Sequence, residues 1–156
     1  MTASSERPGH PATEAFDANA ATYWASEGTG PQWLQVDLGF PRGLGRVEVN
    51  WGDAFATSWL IQLSVDGAEW ITAASETGGD GWGMTSFIRG TARYVRIAPT
   101  VPATADGYQI EEFRVYGSSC PTPTPTIAAQ RTTGHPSVQA SRFIASLPVV
   151  GVRSSL

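Results

Sequence analysis

Apolar residues recur at every second position through most of the first 117 residues, and this alternation constrains the fold more than any other feature. In "WLQVDLG" Leu34, Val36 and Leu38 alternate with Gln35 and Asp37; in "GRVEVNW" Val47, Val49 and Trp51 alternate with Glu48 and Asn50. A period of two puts one face of a strand in the core and the other in solvent. Trp59, Ile61, Leu63 and Val65 repeat the pattern, followed by Asp66-Gly67 and a second apolar run. Asp-Gly between alternating segments predicts a hairpin with a type I′ turn, since both residues tolerate positive φ. Further strands are predicted in "MTSFIRG", "ARYVRIAP" and "IEEFRVYG". No window of useful length carries a helical stripe, so several short strands punctuated by Gly and Pro imply an all-β antiparallel sandwich or jelly roll.

At 156 residues the chain fits one domain with an appendage. After Gly117 the character changes to "SSCPTPTPT", whose Pro-Thr alternation favours extended polyproline II. The organisation predicted is a folded module over 1–117, a linker over 118–126, and a disordered tail or truncated start of another segment over 127–156. Residues 1–117 hold seven arginines and fourteen acids, a net −7, while the remainder holds three arginines and no acid. An acidic domain without a basic stripe argues against nucleic acid and anionic membrane as partners. No apolar run is long enough to span a bilayer, and the N-terminus lacks the basic and apolar regions of a signal peptide. The single Cys120 excludes an intrachain disulfide.

The stretch "EAFDANAATYWAS" packs Asp17, Asn19 and Thr22 into a loop of small residues and then ends in Tyr23 and Trp24. Oxygen-bearing side chains at such spacing can suit calcium, which takes hard oxygen ligands in flexible geometry, although ordinary Asx turns are what such residues usually make. Trp24 is expected in the core and Tyr23 at the rim. Trp33, Trp51, Trp59 and Trp70 lie within or beside strand patterns and read as core or sheet-edge residues. Trp82, in the Gly-rich "TGGDGWGMT", is open to an exposed or binding role as much as to a packed one.

The run "PATEAFDANAATYW", followed in order by "PQWLQVDLG", "RVEVNW", "IQLSVDGAEW", "ARYVRI" and "EFRVYG", resembles the discoidin or factor V/VIII type C domain, in the group classed as family 32 carbohydrate-binding modules. The resemblance covers residues 3 to 117. It implies an eight-stranded antiparallel jelly-roll sandwich of the galactose-binding-domain-like type and a structural calcium. The ligands implied are the Glu14 carbonyl, the Asp17 carboxylate, Asn19, Thr22, the Glu111 carbonyl and the Glu112 carboxylate. Ala18 stands where the family usually has Gly, a departure that bears on the loop backbone because Ala resists positive φ.

Family ligands sit among loops at one end of the sandwich, which here are "SSERPGHP", "YWASEGTG", "WGDAF", "GGDGWG" and "ATADGYQ". The candidate carbohydrate-binding residues are Glu6, Tyr23, Glu27, Asp53, Trp82, Asp106 and Tyr108; His10, followed by Pro11, reads as a turn residue. Chitosan-binding relatives often carry Arg in place of Tyr23, Trp-Glu in place of Trp51-Gly52, and "GYSLWEF" in place of "GYQIEEF", so the specific sugar does not transfer. The function expected is that of a non-catalytic, monomeric module, extracellular as part of a larger secreted protein, that tethers a glycoside hydrolase or similar enzyme to a polysaccharide of neutral or amino sugars. The alternative is an adhesion module for a protein or a phospholipid head group. No nucleophile elbow, histidine pair or phosphate loop suggests catalysis, and Glu111-Glu112 is already accounted for by the calcium reading.

Overall fold

The computed structural model describes residues 1–118. The linker and tail expected after Gly117 fall, but for Ser118, outside the described residues. The strands are β1 (Thr2–Ala3), β2 (Trp24–Ala25), β3 (Leu34–Trp51), β4 (Ala56–Ser64), β5 (Ile71–Thr77), β6 (Met84–Pro102) and β7 (Gln109–Gly117), with one 3-10 turn over Ala12–Phe16. All pairings between them are antiparallel, in the order β2-β7-β3-β6-β4-β5 with β1 beside β3.

Two strands are long and belong to both layers of the sandwich. The first part of β3 pairs with the end of β6, from Leu34↔Ile97 to Asp37↔Tyr94, and the register then shifts before Arg42↔Ala92. Beyond the shift β3 pairs with the start of β6 on one side and with β7 on the other. One layer is therefore β1, early β3, late β6, β4 and β5; the other is β2, β7, late β3 and early β6. The separate segments expected at 34–38 and 47–51, and at 84–90 and 92–99, run together as β3 and β6, which is why hydrogen bonding counts seven strands in a sandwich of the expected class.

Inward residues from both layers form one core around Trp24, Trp59, Ile61, Val95, Ile110 and Phe113. Trp51 and Trp59 meet edge to face at 5.3 Å between ring centroids, a favoured aromatic geometry. The expected alternation holds through Leu63, but Val65 is exposed. It has left the strand, because the last β4–β5 pair is Leu63↔Ile71. The hairpin is present with a longer turn than two residues. Asp66 Oδ1 accepts from the amides of Ala68 and Glu69 and from the Ser64 hydroxyl, and of the Asp-Gly pair only Gly67 takes positive φ. Those bonds to the Ala68 and Glu69 amides, with the Ser64 hydroxyl, hold the Asp66 carboxyl below its ordinary pKa.

Candidate functional site

Antiparallel pairing brings the end of β2, the end of β3 and the start of β7 to one end of the sandwich, through Trp24↔Ile110 and Trp51↔Ile110. The starts of β4 and β6 and the end of β5 fall at the same end. All five loops anticipated for ligand binding are therefore neighbours. They are also bonded to one another. Gln109 N–H donates to the Ala54 carbonyl, Ser26 N–H to the Tyr108 carbonyl, and Arg7 N–H to the Ala25 carbonyl.

Within this end an open cleft of about 540 Å³ is lined by Asn50, Trp51, Gly52, Asp53, Phe55, Asp80, Gly81, Trp82, Gly83 and Glu111. The backbone of "GGDGWG" lies flat against the sheet because its glycines have no side chains to hold it off. A Cβ on Gly79 would overlap the Ala56 carbonyl and the Trp59 ring, and Gly81, at φ 87°, passes over Phe55. The Trp82 amide donates to Asp80 Oδ1 at 3.1 Å. With the backbone pinned, the indole has nowhere to pack and is 76 % exposed. Three carboxylates, Asp53, Asp80 and Glu111, line the same cleft, and none of its lining residues is basic. An exposed indole beside uncompensated acids offers a stacking face and an attraction for cations.

Of the predicted carbohydrate contacts, Asp53 and Trp82 share this cleft. Glu6, Tyr23, Glu27 and Asp106 do not line it; they occupy the adjoining rim. There Glu6 Oε1 accepts from the Ala12 amide, Arg7 Nη2 donates to the Asp106 carbonyl, and Glu27 N–H donates to the Ser5 hydroxyl. Tyr23 stacks on His10 at 4.2 Å and 11°, so one face of its ring is covered.

Tyr108 is a correction. It is 1 % exposed, with its amide bonded to Ser26 Oγ, and cannot present a ring to a sugar. Burial pushes its phenol pKa up. Sequence reasoning missed Phe55 and Asp80 as cleft residues and assigned Glu111 only a metal-binding carbonyl. Asp80 and Phe55 were nevertheless marked by their places within "GGDGWG" and "WGDAF".

The Asp17 loop leads from the 3-10 turn, which packs on β7 with Phe16 edge to face against Phe113 at 5.6 Å. Asp17 accepts from the Asn19 amide at 2.9 Å and from the Thr22 hydroxyl at 2.7 Å, and Asn19 Oδ1 accepts from the Ala21 amide. Ala18 adopts φ 60°, so the loop keeps a left-handed residue without glycine. On β7, Glu112 is 3 % exposed; Oε2 lies 3.3 Å from Arg114 Nε, while the buried Oε1 has no hydrogen-bond partner among the described residues. Leaving a buried charged oxygen unpaired is costly. Among the described residues no three acidic, histidine or cysteine side chains converge as a metal cluster. A cation here would draw mainly on neutral oxygens, as calcium can. The donor set and the orphaned Glu112 oxygen fit such an ion.

The family model described as F5/8 type C domain matches residues 1–113. The chain belongs to this family. Among solved structures, this F5/8 type C domain is similar to chitosan-binding module 1 of a chitosanase/glucanase from Paenibacillus sp. IK-5, at 43% identity and TM-score 0.70, covering 74% of this chain and 92% of that one. Chitosan-binding module 2 of the same enzyme, solved with chitotriose, is 41% identical with TM-score 0.71, covering 74% and 94%. A family 32 module from a family 31 glycoside hydrolase of Clostridium perfringens, at 20% identity and TM-score 0.65 over 76% and 89%, shares the fold. Comparison with curated proteins gives no significant match.

Proposed function

We propose that this F5/8 type C domain is a non-catalytic carbohydrate-binding module whose cleft takes oligosaccharides of amino sugars, of the chitosan type. The observation that carries the reading is the exposed Trp82 indole beside Asp53, Asp80 and Glu111 with no base among the lining residues. A protonated sugar amine near one of these carboxylates gains about 1 kcal/mol in water at 4 Å, and about 4 kcal/mol at the effective dielectric of a protein surface. The indole stacks on the C–H face of the ring. Chitosan-binding modules at 41% and 43% identity support the same substrate class. A chain of several sugars leaving the cleft meets the rim of Tyr23, Glu27 and Asp106, where further acids lie.

Weak attachment of this kind works by effective concentration, holding a tethered enzyme near its polymer. Relatives that are modules of a chitosanase/glucanase support an attached glycoside hydrolase, and the reading takes the whole protein to act outside the cell, where such a polymer is met. A structural calcium completes the reading. The Glu14 carbonyl, Asp17, Asn19, Thr22, the Glu111 carbonyl and Glu112 would hold it, and its charge would neutralise two carboxylates from early and late segments of the chain.

Calorimetry of the full chain against a glucosamine trimer, its N-acetylated counterpart and a neutral β-glucan trimer tests the site. The expected order is amino sugar first, with micromolar to millimolar affinity. Preference for the amine should fade as pH rises and the ligand loses its charge. Trp82→Ala should weaken binding about tenfold, or about 1.4 kcal/mol, and Asp53→Asn with Asp80→Asn should erase the preference for the amine. Equal affinity for amino and neutral sugars, or indifference to Trp82→Ala, overturns the assignment.

A further inference from the structure

The first half of β6 is an open sheet edge. Residues 84–92 pair with β3 on one side, from Val49↔Met84 to Arg42↔Ala92, whereas β4 pairs only with the later half, from Ser64↔Tyr94 to Ala56↔Pro102. On its other side the early half has no strand partner among the described residues. Such an edge presents a row of unpaired amides and carbonyls that invites another strand, and folded domains usually blunt it with Lys, Pro or an inward charge. The run "MTSFIRGT" holds no proline, lysine or acid. Beside it the sandwich stands open, with a hollow of about 970 Å³ walled by Ala73 on β5 and by Phe87, Arg89 and Thr91 on β6.

Period-two alternation explains what projects from this edge. Ser86 and Ile88 are buried, so Phe87 and Arg89 turn to solvent two positions apart, and Phe87 is 81 % exposed. Phe87 is also the last member of a cross-strand row. Tyr116, Arg46 and Phe87 are register partners across β7, β3 and β6. The Arg46 guanidinium lies over the Tyr116 ring at 4.0 Å, and Glu48, 3.2 Å from Arg46 Nε, balances its charge. Elsewhere the domain repeatedly lays a guanidinium over an aromatic ring: Arg42 on Phe40 at 4.1 Å, Arg93 on Tyr94 at 4.9 Å and Arg96 on Trp70 at 3.9 Å. At Phe87 the row reaches the edge, and its next place lies beyond the sheet.

We propose that this edge pairs with the same edge of a second copy of the chain. Antiparallel pairing about a two-fold axis at Ile88 sets Phe87 of each copy opposite Arg89 of the partner subunit. Side chains directly opposite stand about 5 Å apart, within the reach of about 6 Å at which a guanidinium over a ring is attracted to it. The row then continues as Tyr116, Arg46, Phe87 and the partner's Arg89, and the two-fold axis repeats it. Thr85 falls opposite the partner's Thr91, a favourable cross-strand pair. Centring the axis on Arg89 would oppose like charges, and centring it on Phe87 would leave Arg89 facing a threonine, so Ile88 is the centre that matches both side chains. A strand pair of this length is a small interface; the dilute module is a monomer and the concentrated one pairs. The two Trp82 clefts come to opposite ends of the joined edges, about 40 Å apart at about 3.4 Å per residue, so a dimer can hold two polymer chains. Only this consequence rests on the preceding reading.

Sedimentation of the full chain without sugar, from about 10 μM to about 1 mM, tests the pairing independently of the cleft. A reversible monomer–dimer equilibrium is expected, with alternate amides between Thr85 and Thr91 gaining protection from hydrogen exchange as concentration rises. Phe87→Ser and Arg89→Glu should each weaken dimerisation about tenfold. Phe87→Ser should do so while leaving the thermal unfolding of the dilute chain unchanged, which separates loss of pairing from loss of fold. A chain that stays monomeric throughout this range overturns the proposal, as does a dimer indifferent to both substitutions, or protection that appears over 71–77 and not over 85–91.

Discussion

Ala18 occupies the left-handed region at φ 60°, where a Cβ crowds the following carbonyl and costs about 1–2 kcal/mol relative to glycine. The Asn19 amide and Thr22 hydroxyl on Asp17 hold the turn in place regardless. Ala18→Gly should therefore stabilise the domain by about 1 kcal/mol, less the extra backbone entropy that glycine loses on folding, measurable as a rise of a few degrees in thermal unfolding. A neutral or destabilising result would mean that the loop relaxes its φ in solution. Single residues also show where the sequence is legible. The exposure of Trp82 could be anticipated because its flanking glycines leave nothing local to pack against. Tyr108 follows a glycine too, yet its burial depends on Ser26, which is 82 positions away and bonded to its amide, so no local pattern could report it. The division of Tyr23 and Trp24 was readable, since adjacent residues in extended chain face opposite ways; Trp24 is buried with Nε1 donating to the Ser5 carbonyl.

Strands were the most legible elements and their ends the least. Alternation located the inward residues of β3 and β4 and the strand segments of β6 and β7, but it does not say whether two adjacent runs form separate strands or one that bends from layer to layer. The bend in β3 is fixed by a tertiary pair. Arg93 donates through Nε and Nη2 to the two oxygens of Asp37, both at 2.8 Å, and the Gly39 amide donates to Oδ1. The hydrogen bond from Arg93, then that from the Gly39 amide, lowers the Asp37 pKa to about 2 from 3.8. A depressed carboxylate contributes stability that is complete above its unfolded pKa and is lost as pH falls through the folded one. Asp37→Asn should thus melt below the parent at neutral pH, with the gap closing between about pH 4 and pH 2; a gap independent of pH would show that the pair adds nothing. The Gly-rich loop makes a sterner demand. Gly79→Ala would press a methyl into the Ala56 carbonyl and the Trp59 ring, at a cost of about 1–3 kcal/mol. Because relief requires the loop to lift, sugar binding at Trp82 should fall with stability, and a variant that lost neither would show that the loop is not seated as described.

At the scale of the whole domain, charge was legible as a sum and not as a distribution. The net −7 of residues 1–117 argued against nucleic acid and anionic membrane as partners, but a sum does not say where the acids gather. Asp53, Asp80 and Glu111 gather in one cleft that no basic residue lines, whereas Arg46 lies 3.2 Å from Glu48 and Arg89 lines a hollow together with Asp66 and Glu69. Two further acids lie where the chain's early loop meets its last strand: Asp17 after the 3-10 turn and Glu112 on β7, whose Oε1 is buried without a partner among the described residues. Without a cation the folded state carries the cost of that desolvated oxygen, and the 3-10 turn meets β7 through Phe16 against Phe113. A calcium ion bound only by the folded domain adds RT ln(1 + [L]/Kd), about 2.7 kcal/mol at a hundredfold excess over Kd. Thermal unfolding should therefore shift upward by several degrees on adding calcium and fall again with chelator, at every sugar concentration including none. Asp17→Asn should weaken the response, and Glu112→Gln should abolish it, because a neutral amide removes the buried carboxylate charge that the ion would neutralise. A parent protein whose unfolding ignores both calcium and chelator would remove the ion from this account and leave Glu112 as a buried charge answered only by Arg114.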